Sequence, residues 1–265
     1  MALPSRATGS LSYDNRGRVV LVTGGGQGIG AAICRAYAES GATVVCAEVA
    51  PEQADNLPTN VVIRSTDVGK EGECQAAVEW TVAAHGGLDI LVNNAAIQPP
   101  ASYVPVDKVE SQLLSRMVDI NFLGYTFMAK YALRQMKMQQ SGVIINMASQ
   151  QGHRTTRNVP VYGPLKAANL LQAKQWAVEY AREGIRVVSV SPGAVDTPLV
   201  RASLAAQGGA EALANRHPLG RIGRAEEIAA AVLWLSSPAA SFVTGTDLAV
   251  DGGLSAFGAF ADPYR

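Results

Sequence analysis

Only one tyrosine of the chain has a lysine four residues later: Tyr162, with Lys166. Residues four apart share a helix face, so phenol and ammonium would point the same way. A free tyrosine ionises near pH ~10, too high for a base at neutral pH. A neighbouring ammonium favours the phenolate, which makes Tyr162 a candidate general acid/base. Ser149 stands thirteen residues before it. Its hydroxyl could donate to the same substrate oxygen, where negative charge builds up. Taken singly, such a pair is usually a surface contact and such a serine a cap or a turn. A glycine-rich turn near the start of the chain, Thr23-Gly24-Gly25-Gly26-Gln27-Gly28-Ile29-Gly30, changes their weight. A nucleotide-binding turn followed by a hydroxyl-based proton-transfer site names a reaction: hydride exchange between a nicotinamide and an alcohol or ketone.

The turn follows an apolar strand and opens a helix, the context that phosphate binding needs. Glycine lets the backbone take positive φ and lets a phosphate approach closely, and the helix N-terminus offers free N–H groups. The spacing is Gly-x-x-x-Gly-x-Gly, which the dinucleotide fingerprint Gly-x-Gly-x-x-Gly does not fit. Gly24, Gln27, Gly28, Ile29 and Gly30 are the candidate contacts. Glu48 closes the second strand, where a carboxylate can accept from both hydroxyls of the adenosine ribose and repel a 2′-phosphate. Neither Gln27 nor Val49 supplies a cation to receive that phosphate. The expected cofactor is NAD.

The elements that must position these groups alternate. Strands are predicted at Val19–Val22, Thr43–Ala47, Asn60–Arg64, Leu88–Val92, Val143–Met147, Ile185–Ser191 and Asp247–Val250. Helical stretches lie between them at Gly28–Ser40, Lys70–His85, Val109–Gln139, Tyr162–Glu183 and Ala225–Leu235. The strands read as near-continuous apolar runs, as in a parallel sheet covered on both faces. Alternation over the whole length predicts α/β architecture, one doubly wound seven-stranded parallel sheet with no internal boundary. Pro164 is tolerated only in a first helical turn, so its helix should begin within about two residues of Tyr162. That places a helix N-terminus beside Tyr162, which favours phenolate further. Residues 197–224 break the rhythm and read as a substrate lid or a packing insertion, which length alone does not separate, the lid being the expectation. Residues 1–16 lack periodicity and read as a disordered tail before a single domain, 17–265.

Lys plus Arg and Asp plus Glu are both 22 in 265 residues, so the formal charge is zero. A nucleic-acid binder would show a basic surplus, and none is expected here. No apolar run reaches the roughly 20 residues that span a bilayer, so no membrane association is expected. Cys34, Cys46 and Cys74 lack metal-ligand spacing and read as buried hydrophobes of a reducing, cytoplasmic compartment. The three histidines form no ligand pair. No metal site is expected.

From about Val19 to Gly253 the chain resembles the short-chain dehydrogenase/reductase family, a single-domain Rossmann fold. Thr23 to Gly30 is similar to its Thr-Gly-x-x-x-Gly-x-Gly, and Asn93-Asn94-Ala95-Ala96 to its Asn-Asn-Ala-Gly, with Ala96 in place of the usual glycine. By that resemblance Asp67 and Val68 hold the adenine, and Asn93 and Ala95 belong to the cofactor site. Pro192, Gly193, Val195 and Thr197 fix the nicotinamide and bind its carboxamide. Val250-Asp251-Gly252-Gly253 matches the C-terminal signature. Asn121, Ser149, Tyr162 and Lys166 fall where the catalytic tetrad falls. There Tyr162 and Lys166 also touch the cofactor, Lys166 binds the nicotinamide ribose, and Asn121 holds a water that links Lys166 to solvent. The resemblance further implies a homotetramer.

Gln98, Gln150, Gln151, His153, Arg154 and Asn158 are the candidate substrate contacts. Amides both donate and accept, which suits several hydroxyls on one small molecule. A sugar or polyol is the expected substrate, although several of these residues could simply face solvent. Arg154 or Arg157 could instead pair with a carboxylate, which would make a hydroxy acid the substrate. A 3-oxoacyl-thioester reductase shares the fold, but Glu48 and the neutral charge speak against it. A catalytically silent NAD-binding scaffold would have lost a member of the tetrad, and all four stand. The apolar segment 254–260 reads as interface material or as a flap on its own subunit.

Overall fold

The structure is a computed structural model that describes residues 11–54, 56–204 and 208–256. Seven strands form one sheet in the order β3-β2-β1-β4-β5-β6-β7, and every neighbouring pair is parallel. The strands are β1 Val19–Thr23, β2 Thr43–Glu48, β3 Val61–Ser65, β4 Ile90–Asn93, β5 Gly142–Met147, β6 Ile185–Pro192 and β7 Asp247–Val250. The helices are α1 Gly28–Glu39, α2 Glu71–His85, α3 Ser111–Val118, α4 Gly124–Gln139, α5 Tyr162–Tyr180, α6 Pro198–Ser203, α7 Gly209–Asn215 and α8 Ala225–Ser236.

The apolar runs of the strands feed two cores because side chains alternate across a sheet. Val20, Val22, Ile90, Val92, Val143 and Ile145 face a layer built by α1 and α8, with Ile33, Tyr37, Ile228 and Val232. Leu21, Leu91 and Ile144, one residue out of step, face α2, α4 and α5 through Val78, Met128, Ala132 and Ala173. Burial on both faces is what makes the central strands mostly apolar, with Asn93 on β4 and Asn146 on β5 paired to each other where they are buried. The three cysteines are buried free thiols.

Two elements differ from the sequence expectation. The long helix expected at 109–139 is α3 and α4 joined by a π-helical turn, Asp119–Leu123. A π-turn bonds one residue farther along than an α-turn. Here it surrounds Asn121, whose carbonyl oxygen accepts from Asn169 Nδ2 at 3.0 Å. The 3.6-residue period of the sequence carries no mark of that widening. Of the expected terminal tail, residues 1–10 lie outside the described residues, and the part that is described also differs. Asn15 is buried, its N–H donates to the Ser40 carbonyl and its Nδ2 to Ser40 Oγ, and Tyr13 packs on the first core. Residues 13–16 are therefore docked at the end of α1. Pro164 is the third residue of α5, which begins at Tyr162 as its chemistry requires. Residues 257–260 of the apolar C-terminal segment lie outside the described residues.

Candidate active site

The carboxyl ends of six strands open on one cavity of about 960 Å³, walled on the far side by α6, α7 and the residues after them. It straddles the point where the strand order reverses between β1 and β4, the usual ligand crevice of an open parallel sheet.

At one end lies the glycine turn, with Gly24, Gln27, Gly28, Ile29 and Gly30 on the wall. Gly30 could carry no side chain, since a Cβ there would lie 2.6 Å from Asn94 Nδ2 and collide with the Gly24 carbonyl. Gly28 has φ +55°, and a Cβ on it would sit 3.2 Å from Thr197 Cγ2, filling the cleft between turn and wall. No side chain caps the first turn of α1, so its N–H groups are left for an anion. Glu48, 8% exposed, stands beside this turn. Its Oε2 accepts from Gly26 N at 3.0 Å and its Oε1 from Val49 N at 2.9 Å. Asp67 follows β3, bound through both oxygens by Arg116 Nη2 at 3.1 and 3.0 Å. Val68, Ala95, Pro192, Gly193, Val195 and Thr197 also line the cavity, and Asn93 does not. Asn93 is wholly buried, its Nδ2 donating to the Tyr125 carbonyl and to Asn146 Oδ1. The cradle and its donor set fit a nicotinamide dinucleotide.

Ser149, Tyr162 and Lys166 meet at the middle of the cavity wall. Ser149 follows β5 and accepts from Gln151 N at 3.1 Å, which fixes the serine loop. Tyr162 is 9% exposed and shares a hydrogen bond with the Ser149 hydroxyl. Lys166 is 1% exposed. Its Nζ donates to the Met147 carbonyl at 2.6 Å and to Tyr125 Oη at 2.9 Å, and lies 5.6 Å from the centroid of the Tyr162 ring. Asn121 stands behind the wall, its Oδ1 accepting from Ile97 N and its Nδ2 donating to the Ile97 carbonyl, both at 2.8 Å. It positions the Ile97–Gln98 wall.

The electrostatics correct the expectation of an easily formed phenolate. Burial drives the Tyr162 phenol upward against the lowering effect of Ser149. Burial also pulls the Lys166 ammonium down from 10.5 to about 7. A lysine that is itself half-neutral near pH 7 lends the phenol little positive charge. The protein groups by themselves hold Tyr162 as a protonated phenol.

At the other end Gln98, Gln150, Gln151 and Arg154 line the cavity. Gln98 Nε2, Gln150 Oε1 and Gln151 Oε1 are buried without a hydrogen-bond partner among the described residues. His153 and Asn158 do not line it, a correction to the sequence reading. His153 Nε2 lies 2.9 Å from Asp247 Oδ2 on β7, and Asn158 is exposed with φ +61°.

Sequence reasoning missed Arg116, Tyr125 and His217. Tyr125 lies four residues after Asn121, a spacing that could have flagged it. The others left no local mark. His217, 1% exposed, accepts from Ala194 N at 3.0 Å through Nε2 and binds the Leu213 carbonyl through Nδ1, so the α7 segment is tied to the loop after β6.

Comparison with known proteins gives the family. Residues 24–255 match the family described as enoyl-(acyl carrier protein) reductase. The cis-4-hydroxycyclohexanecarboxylate dehydrogenase of Sinomonas cyclohexanicum is 41% identical over 246 residues, which is 90% of this chain and 97% of that protein. The 3-ketoacyl-(acyl-carrier-protein) reductase of Brucella melitensis, solved with NADH, superposes with TM-score 0.84 at 31% identity, covering 91% of this chain and 99% of that one. The ligand-free aldohexose dehydrogenase of Thermoplasma acidophilum superposes with TM-score 0.86 at 31% identity, covering 94% and 98%. Fold, cavity and kinship together make the chain a member of the short-chain dehydrogenase/reductase family, a nicotinamide-dependent oxidoreductase of alcohol groups.

Proposed function

We propose that the protein is an NAD-dependent dehydrogenase of a small, polar secondary alcohol, carried on a ring as in a sugar or cyclic polyol. One observation carries the reading. A single cavity has a fixed carboxylate, Glu48, at its glycine-turn end and three unpartnered glutamine atoms at the other. The carboxylate suits two ribose hydroxyls and repels a 2′-phosphate. Buried unpartnered amides cost stability until a ligand pairs them, which suits a substrate with polar groups beyond the reacting carbinol. The named substrates of the Sinomonas and Thermoplasma relatives, a hydroxycyclohexanecarboxylate and an aldohexose, agree in kind.

Bound oxidised nicotinamide supplies the hydride acceptor. Beside the positive charge of a bound oxidised nicotinamide Tyr162 would give up its own proton. Ser149 then donates to the carbinol oxygen, and the Tyr162 phenolate Oη takes the carbinol proton as the C–H electron pair departs and the C=O bond forms. In reduction the protonated phenol returns that proton. Lys166 is held beside the phenol by Tyr125 Oη and the Met147 carbonyl. Thr197 and the segment to 224 would close over the reactants as a lid. We also take the enzyme to be a cytoplasmic homotetramer. Family membership, exposed Leu171 and Val178 on α5 and the three free thiols support this.

Formation of NADH, followed by absorbance, tests the reading with sugars, polyols, cyclohexanols and hydroxy acids, each with NAD and with NADP. Turnover with NAD that Tyr162→Phe abolishes is the expected result. A preference for NADP, or turnover confined to apolar alcohols, would overturn it.

A further inference from the structure

Charge divides the cavity. Among the described residues its lining carboxylates are Glu48 and Asp67, both at the adenosine end, and Asp67 is already bound by Arg116. The other end has no lining carboxylate, yet Arg154 and Arg157 reach it from the loop after Ser149, and Arg216 from the segment after α7. Gathering guanidinium groups in one concave wall raises a positive potential that favours an anion.

We propose that the substrate is a hydroxylated carboxylic acid, with its carboxylate held by Arg157 beside Arg154; this deepens the oxidoreductase reading and rests on it. Arg157 has no hydrogen bond or ion pair among the described residues, whereas Arg154 reaches the Ser255 carbonyl. The loop that carries them is anchored at its base. Gly152 N and Arg154 N donate to the Ser149 and Gln150 carbonyls, and His153 is pinned to Asp247 on β7. These bonds fix the backbone as far as Arg154, and Arg157, exposed like Arg154, extends from the same loop along the cavity wall. Of the unpartnered amide atoms at this end, Gln98 Nε2 can donate to the acid, while Gln150 Oε1 and Gln151 Oε1 can accept from hydroxyls; Gln98 and Gln150 are 7% and 6% exposed. A guanidinium fork binds carboxylate or phosphate in two parallel bonds, so phosphate is the alternative that a test must separate.

The test titrates cyclohexanecarboxylate, its carboxamide and inorganic phosphate into the enzyme–NADH complex, read by nicotinamide fluorescence. Wild type should bind the carboxylate at least ~10-fold tighter than the carboxamide, as a charge-assisted pair predicts. Arg157→Gln should lose that preference, and Arg157→Lys should keep part of it. Equal binding of acid and amide, binding of phosphate alone, or an unchanged preference in Arg157→Gln would overturn the proposal. In parallel, the ratio of kcat/KM for 4-hydroxycyclohexanecarboxylate to that for its carboxamide should fall with Arg157→Gln, through KM. NAD-linked turnover of neutral alcohols without acid preference would sink the carboxylate site alone. Acid-selective binding with no turnover of any alcohol would sink the oxidoreductase reading instead.

Discussion

The two ends of the cavity are built on opposite principles. At the adenosine end the protein satisfies its own carboxylates: Glu48 takes the N–H groups of Gly26 and Val49, and Asp67 takes Arg116 and Gly69 N. At the end proposed for substrate, Gln98, Gln150 and Gln151 keep buried atoms without partners among the described residues. A satisfied group is held rigid and ready for a ligand that never changes. An unsatisfied one lowers stability until its ligand arrives, and so discriminates against ligands that cannot pair with it. On the proposed function, the contrast places rigidity with the cofactor and selectivity with the substrate.

The middle of the cavity, which both ends serve, should show the largest effect. Tyr162→Phe removes the proton acceptor and should lower kcat by about 10²–10⁴-fold, while NADH binding, read by fluorescence, stays near wild type. A fall in NADH affinity to match would mean that the tyrosine belongs to the cofactor end.

Lys166 tests the cost of charge between the two ends. Its pKa falls from 10.5 unfolded to about 7 folded, so the unfolded chain binds more protons between these values and stability rises with pH across that window. The penalty is fully present below pH 7. Lys166→Met should therefore melt higher than wild type at pH 6 by several degrees, the gap closing toward pH 10. Parallel melting curves across that range would show that Lys166 is not buried as described.

Glu48→Gln probes the satisfied end. It keeps the shape and removes the charge from the backbone hydrogen bonds of Gly26, Val49 and Ala50, so KM for NAD should rise about 10–100-fold and stability should fall. Discrimination against NADP should weaken together with these. Gln98→Leu probes the unsatisfied end and should act in the opposite direction on stability. Removing an unpaired buried amide should stabilise the free protein by about 1 kcal/mol, read in denaturant, while kcat/KM for the polar substrate drops. Loss of stability in both variants would erase the contrast.

Much of this was legible in the chain itself. The apolar runs of the strands, the glycine turn with Glu48 at the end of β2, and the Ser149, Tyr162 and Lys166 spacing are local patterns set by burial, backbone freedom and helical period. Pro164 placed the start of α5 because a missing N–H is harmless only in a first turn. The π-turn around Asn121 was not legible, because a widened turn leaves the apolar period unbroken. Nor was the place of His153, whose partner Asp247 lies 94 residues away. The same holds for Arg116 on Asp67 and His217 on Ala194, contacts that exist only after distant segments meet.

Order and type of residues thus determined the layered parallel sheet, the nicotinamide chemistry and the groups able to carry it, since each depends on neighbours within a turn or a strand. Tertiary structure decided the protonation of those groups and which polar atoms lack partners. Burial and pairing are properties of the assembled cavity, and in this protein burial pushed both Tyr162 and Lys166 toward their neutral forms.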